Sequence, residues 1–163
     1  MNIEITKEEY RDLLDILHMA EWMMHAHETE RDSVSAPYDR VIQKLYGLAK
    51  AMGQESLVSY DADAQEYFPT REFDDTTASW EIIDQFTEET FWDELIHRLT
   101  DRDLARAAGG YEQLENLSMS ERFIMEAPVI ERYSQEFEQR GLERLEVVAP
   151  AGAEDAAPPV THD

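Results

Sequence analysis

Two histidines and a glutamate share one face of the first predicted helix: His18, Glu21 and His25. At about 100° per residue, the three positions fall within about 60° of one another around the helix axis. Imidazole nitrogens and a carboxylate are ligands that zinc and ferrous iron accept. The spacing raises the hypothesis of a divalent-metal site. The same arc borders the apolar stripe of the helix, a position that also suits a solvated polar edge.

A second candidate site lies in the segment 54–75, which has the least helical periodicity in the chain. It contains the aromatic residues Tyr67, Phe68 and Phe73 and the cation Arg71. Irregular segments carry binding residues more often than helix faces do. We therefore expect an ordered, aromatic-anchored connection that forms a binding loop or plugs the end of a helical bundle. Arg71 would hold an anionic ligand or pair with a neighbouring carboxylate.

Templates for enzymatic chemistry are missing from the sequence. The chain has no cysteine, which excludes disulfides, thiolate metal sites and cysteine nucleophiles. Gly109 and Gly110 are not followed by the Lys-Ser/Thr pair of a phosphate-binding loop, and no Gly-x-Ser-x-Gly motif occurs. No catalytic residues are predicted. The sequence favours a protein without a cofactor, with a divalent metal as the alternative.

Net charge is the most unusual property of the chain. Thirty-seven acidic residues against fourteen lysines and arginines give −23. Such a field repels phosphate backbones and anionic lipids, so we expect no direct binding of nucleic acid or of membranes. Three explanations fit the acidity: solubility, halophilic adaptation to high salt, or a basic partner, including mimicry of a nucleic acid. Composition alone does not separate them.

These patterns together predict a non-catalytic interaction or regulatory protein that binds a basic protein partner. The alternative is a metal-dependent enzyme or metal-binding helical protein that uses His18, Glu21 and His25. The first residues lack the basic start and apolar core of a secretory signal, and no run of about 18 apolar residues occurs. We therefore expect a cytoplasmic protein. Its oligomeric state does not follow from the sequence.

Capping signals locate the helices that would position these residues. Thr6 with Glu9, and Ser118 with Glu121, have the spacing of capping boxes. Thr87 is expected to cap a helix that follows a separate short helix over 77–86. Pro128 is expected to interrupt or kink the last helix.

The predicted fold is mostly α: a compact bundle of about five helices with a minor two-stranded pairing of residues 2–5 with residues 142–148. Residues 1–148 are expected to form a single acidic helical domain, which is long enough to bury a core. Residues 149–163 are rich in alanine, proline and acids. This composition predicts a flexible C-terminal tail.

Overall fold

The computed structural model describes residues 3–27 and 34–148. In these ranges the chain forms six helices and one pair of strands: α1 Lys7–His25, α2 Ala36–Tyr46, β1 Val58–Asp61, β2 Glu66–Pro69, α3 Arg71–Thr76, α4 Ser79–Ala108, α5 Tyr111–Glu115 and α6 Met119–Arg140. The mostly α class with a minor strand pairing is confirmed. Of the described helices, none has the length and apolarity needed to cross a membrane. The predicted tail lies outside the described residues.

The strand pairing is a local hairpin. β1 and β2 run antiparallel, with Val58 opposite Pro69 and Asp61 opposite Glu66. This location corrects the expected pairing of residues 2–5 with residues 142–148, whose described parts form no strand. Closing a short turn costs less chain entropy than joining the two ends of the sequence. The hairpin lies within the segment 54–75, which the sequence predicts to be an ordered, aromatic-anchored connection.

Residue contacts divide the chain into two units, Met1–Glu89 and Thr90–Asp163, with the division inside α4. The prediction of a single domain over residues 1–148 stays a prediction. In the first unit, apolar residues spaced by three and four along α1 face α2, the hairpin and α3. Its buried core consists of Tyr10, Leu14, Leu17, Ile42, Tyr46, Ala49, Leu57, Val58 and Phe73. The Tyr10 hydroxyl donates to the carbonyl of Leu45 at 2.6 Å, and burial raises the pKa of Tyr10 to about 12.

The second unit has a smaller core and an ion-pair network. Leu104, Ala105 and Leu114 are buried there, with Ala108, Leu117, Met125 and Val129 packed around them. Asp103 accepts hydrogen bonds from Arg102 at 3.0 Å, Arg132 at 2.9 Å and the Tyr133 hydroxyl at 2.5 Å. Burial opposes ionisation of Asp103, but these hydrogen bonds and the arginine charges together hold its pKa below the ordinary value.

Two of the predicted helix starts are confirmed, and one is wrong. Both partners of each capping box, at Thr6 and at Ser118, are present. Thr87 instead lies inside α4, where its hydroxyl donates to the carbonyl of Ile83 at 2.8 Å. A threonine whose hydroxyl hydrogen-bonds to a carbonyl of the preceding turn is compatible with a helix interior. Accordingly, α4 is continuous through Thr87. Likewise, α6 runs through Pro128 and ends before Gly141, whose φ is +53°.

Candidate functional site

A cleft of about 390 Å³ opens in the first unit, and we call it the α1–β2 cleft. It is lined by His18, Glu21, Trp22, His25 and Ala26 at the C-terminal end of α1, by Phe68 and Pro69 of β2, and by Asp74 of α3. The cleft therefore brings together residues from both predicted sites. All three candidate metal ligands border it, and so does Phe68 of the candidate binding loop.

His18 is the most buried side chain of the cleft lining, with 9% of its surface exposed. Its imidazole packs edge-on against two aromatic rings, those of Phe73 at 5.4 Å and Trp80 at 4.7 Å between centroids. Nδ1 of His18 lies 2.8 Å from Oγ of Ser79, which is fully buried at the start of α4. The ring is thus held by two aromatic contacts and by a hydrogen bond at one nitrogen.

A chain of hydrogen bonds sets the tautomer of His18. The Thr77 hydroxyl donates to the Asp15 carboxylate at 2.6 Å, and that carboxylate is paired with Arg11. Thr77 Oγ1 lies 2.7 Å from Ser79 Oγ. Because the single hydroxyl proton of Thr77 is used on Asp15, the proton between the two hydroxyls comes from Ser79. Ser79 Oγ therefore accepts from His18, so Nδ1 of His18 carries a proton.

The other imidazole nitrogen of His18 is left available. Nε2 hydrogen-bonds to no residue in the part of the chain that the structure describes. In a neutral imidazole with a proton on Nδ1, Nε2 holds a lone pair and accepts hydrogen bonds. Burial lowers the pKa of His18 from its ordinary value of 6.5, against the raising effects of the Asp74, Glu21 and Asp15 carboxylates. The neutral form thus dominates at neutral pH.

Acidification is expected to destabilise the first unit through His18. Because the pKa of His18 is lower in the folded chain than in the unfolded chain, the unfolded state binds more protons between those two values. The contribution of His18 to the free energy of unfolding is intact above pH 6.5, and it is lost as the pH falls through the pKa of His18 in the folded chain. Urea unfolding at about pH 8 and about pH 5 measures this loss in the wild type and in His18→Gln, which removes the titrating group.

His97→Gln, at an exposed position of α4, is the matched control for the pH experiment. We expect His97→Gln to keep the wild-type dependence of stability on pH, and His18→Gln to lose part of it. An identical dependence in the wild type and in His18→Gln would contradict a depressed pKa at His18.

The other two candidate metal ligands are held by separate partners. Glu21 accepts a hydrogen bond from the Tyr46 hydroxyl at 3.1 Å. Burial, followed by the charge of Glu21, raises the pKa of Tyr46. Nε2 of His25 lies 2.9 Å from Oδ1 of Asp39. Across residues 3–27 and 34–148, no three histidine, aspartate or glutamate side chains are arranged to hold a metal ion. The metal hypothesis stays a prediction, which elemental analysis of untagged protein tests.

Members of the candidate binding loop have different environments. The backbone of Tyr67 pairs with the Gln43 side chain at 2.7 and 2.9 Å, and its ring packs on the core. Phe73 is a core residue with 1% of its surface exposed. The Arg71 side chain is 93% exposed and forms a 3.8 Å ion pair with Asp75. Phe68, which is one-third exposed, is the member of this set that borders the cleft.

Sequence reasoning missed several residues that build the cleft. Trp22 and Asp74 line it, and Thr77 and Ser79 orient His18 from the start of α4. A Thr-x-Ser sequence just before a helix is a recognisable local signal, because such hydroxyls bond to nearby polar groups. Its partner on α1, however, is 61 residues away in the chain. Only the fold reveals that contact.

The chain was also compared with known proteins. No protein-family model, curated protein or solved structure matches it. The functional interpretation therefore depends on the charge of the chain and on the geometry of the α1–β2 cleft.

Proposed function

We propose that this chain is a non-catalytic interaction protein that binds a basic protein partner. The observation that carries the proposal is the composition of the α1–β2 cleft. Carboxylates of Glu21 and Asp74 border it together with the aromatic side chains of Trp22 and Phe68, and its described lining contains no lysine or arginine. Carboxylates and aromatic rings both attract cations.

The charge of the whole chain supports the same conclusion. The net charge of −23 produces a negative electrostatic potential around the protein, which raises the rate of its association with basic molecules. Complementary charge contributes mainly to association rate and specificity, whereas partly buried contacts slow dissociation. The cleft supplies a partly enclosed place for such contacts, because it includes the buried His18 and the half-buried Trp22.

Octalysine is a suitable probe of this proposal. We expect the protein to bind octalysine at low ionic strength, with a Kd that rises at least about tenfold between about 50 and about 500 mM salt as screening increases. Isothermal titration calorimetry over a salt series measures the Kd. Octaglutamate serves as the control of opposite charge and should not bind. Absence of octalysine binding even at low salt would contradict the proposed function.

A further inference from the structure

We infer that the α1–β2 cleft seats one lysine side chain of the basic partner, with Nε2 of His18 accepting a hydrogen bond from the lysine ammonium group. This inference rests on the proposed function and narrows it to one side chain and one acceptor. The net charge of the chain would not by itself indicate His18 as a binding residue, because a protonated histidine repels a basic ligand.

His18 is held in the tautomer that accepts a hydrogen bond at Nε2. Its Nδ1 proton is committed to Ser79 at 2.8 Å, and Ser79 is held in turn by Thr77 and Asp15. Reversing the tautomer would leave the buried Ser79 oxygen and the half-buried Thr77 oxygen facing each other with no proton between them. His18 lines the cleft, 9% of its surface is exposed, and its Nε2 is unpaired among the described residues, so Nε2 is the acceptor that we assign to a donor in the cleft.

The surroundings of His18 favour a cationic donor. The carboxylates of Glu21 and Asp74 line the same cleft as His18. Trp22 and Phe68 provide aromatic surface, which attracts a cation and covers the methylene groups of a long side chain. A neutral donor such as a hydroxyl would use the imidazole but would gain nothing from the two charges.

The cleft suits the side chain of lysine better than that of arginine. An ammonium group has three N–H donors that it directs freely by rotation, so one of them can meet Nε2 of His18 while the charges of Glu21 and Asp74, which both act on His18, attract the ammonium group. The guanidinium group of arginine is a planar fork that matches two oxygens of one carboxylate. An acceptor set that contains a single imidazole nitrogen therefore suits the ammonium group better.

The histidine side chains report on this inference directly. In isotope-labelled protein, nitrogen–proton correlations of the imidazole rings identify each tautomer, and His18→Gln assigns the His18 signals. We expect the Nδ1–H tautomer in the free protein and a saturable shift of the Nε2 resonance on addition of octalysine. The His97 signals, which come from an exposed position of α4, should not move. The opposite tautomer of His18 in the free protein would overturn the inference.

A matched pair of charge variants tests the site by affinity. Asp74→Asn and Asp75→Asn each remove one exposed carboxylate from α3, but only Asp74 lines the cleft. We expect Asp74→Asn to raise the Kd for octalysine about fivefold and Asp75→Asn to raise it less than about twofold. Circular dichroism verifies that both variants keep the wild-type helix content.

Failure of the inference and failure of the proposed function give different results. If octalysine binds but both variants weaken it equally and the His18 signals stay still, the cleft is not the lysine site, while a basic partner remains supported. If octalysine does not bind at all, both are overturned. A larger shift of the His18 signals with octaarginine than with octalysine would overturn the assignment to lysine.

Discussion

Phe73→Ala is expected to lower the free energy of unfolding of the first unit by about 3–5 kcal/mol, the usual cost of deleting a buried phenylalanine ring. Phe73 exposes only 1% of its surface and lies in the core formed by α1, α2 and the hairpin. Its ring contacts the His18 imidazole, and the Arg11 guanidinium lies 4.9 Å from the ring centroid. Alanine would leave a cavity and would free His18 on one side.

Phe68→Ala is the matched control for this experiment. It deletes the same side chain from the same predicted binding loop, but Phe68 borders the cleft and is 36% exposed. We expect Phe68→Ala to cost about 1 kcal/mol or less, as is usual for substitutions outside a core. Urea unfolding followed by tryptophan fluorescence measures both variants. Equal losses would show that Phe73 does not have the core role assigned to it.

Leu114→Ala is expected to destabilise the second unit by about 3 kcal/mol, within the range for a buried leucine. Leu114 is 2% exposed and packs in a buried cluster with Leu104 and Ala105. A small core has few remaining contacts to compensate for a cavity. We expect amides of α6 to exchange much faster with solvent deuterium, whereas amides of α1 and α2 keep their protection.

Hydrogen exchange resolves the two units in this experiment. Leu142→Ala, which removes the same side chain at a position that is 46% exposed, is the control and should change little. Equal loss of protection in α1 and α6 on Leu114→Ala would contradict independent stability of the two units. That result would favour the single domain predicted for residues 1–148.

The sequence by itself determined those features that depend on neighbouring residues. The helix starts at Thr6 and Ser118 were predictable, because a capping box is complete within four residues. The mostly helical class followed from apolar residues repeated at helical spacing. The hypothesis of a basic partner follows from net charge, which is a property of composition alone.

Tertiary structure decided everything that depends on residues distant in the chain. Phe68 and Phe73 belong to one aromatic segment, yet packing puts one in a cleft and the other in the core. His18 shares a helix face with Glu21 and His25, as its spacing in the sequence predicts. Its tautomer is set by Ser79, 61 residues later, and a one-dimensional pattern does not contain that contact.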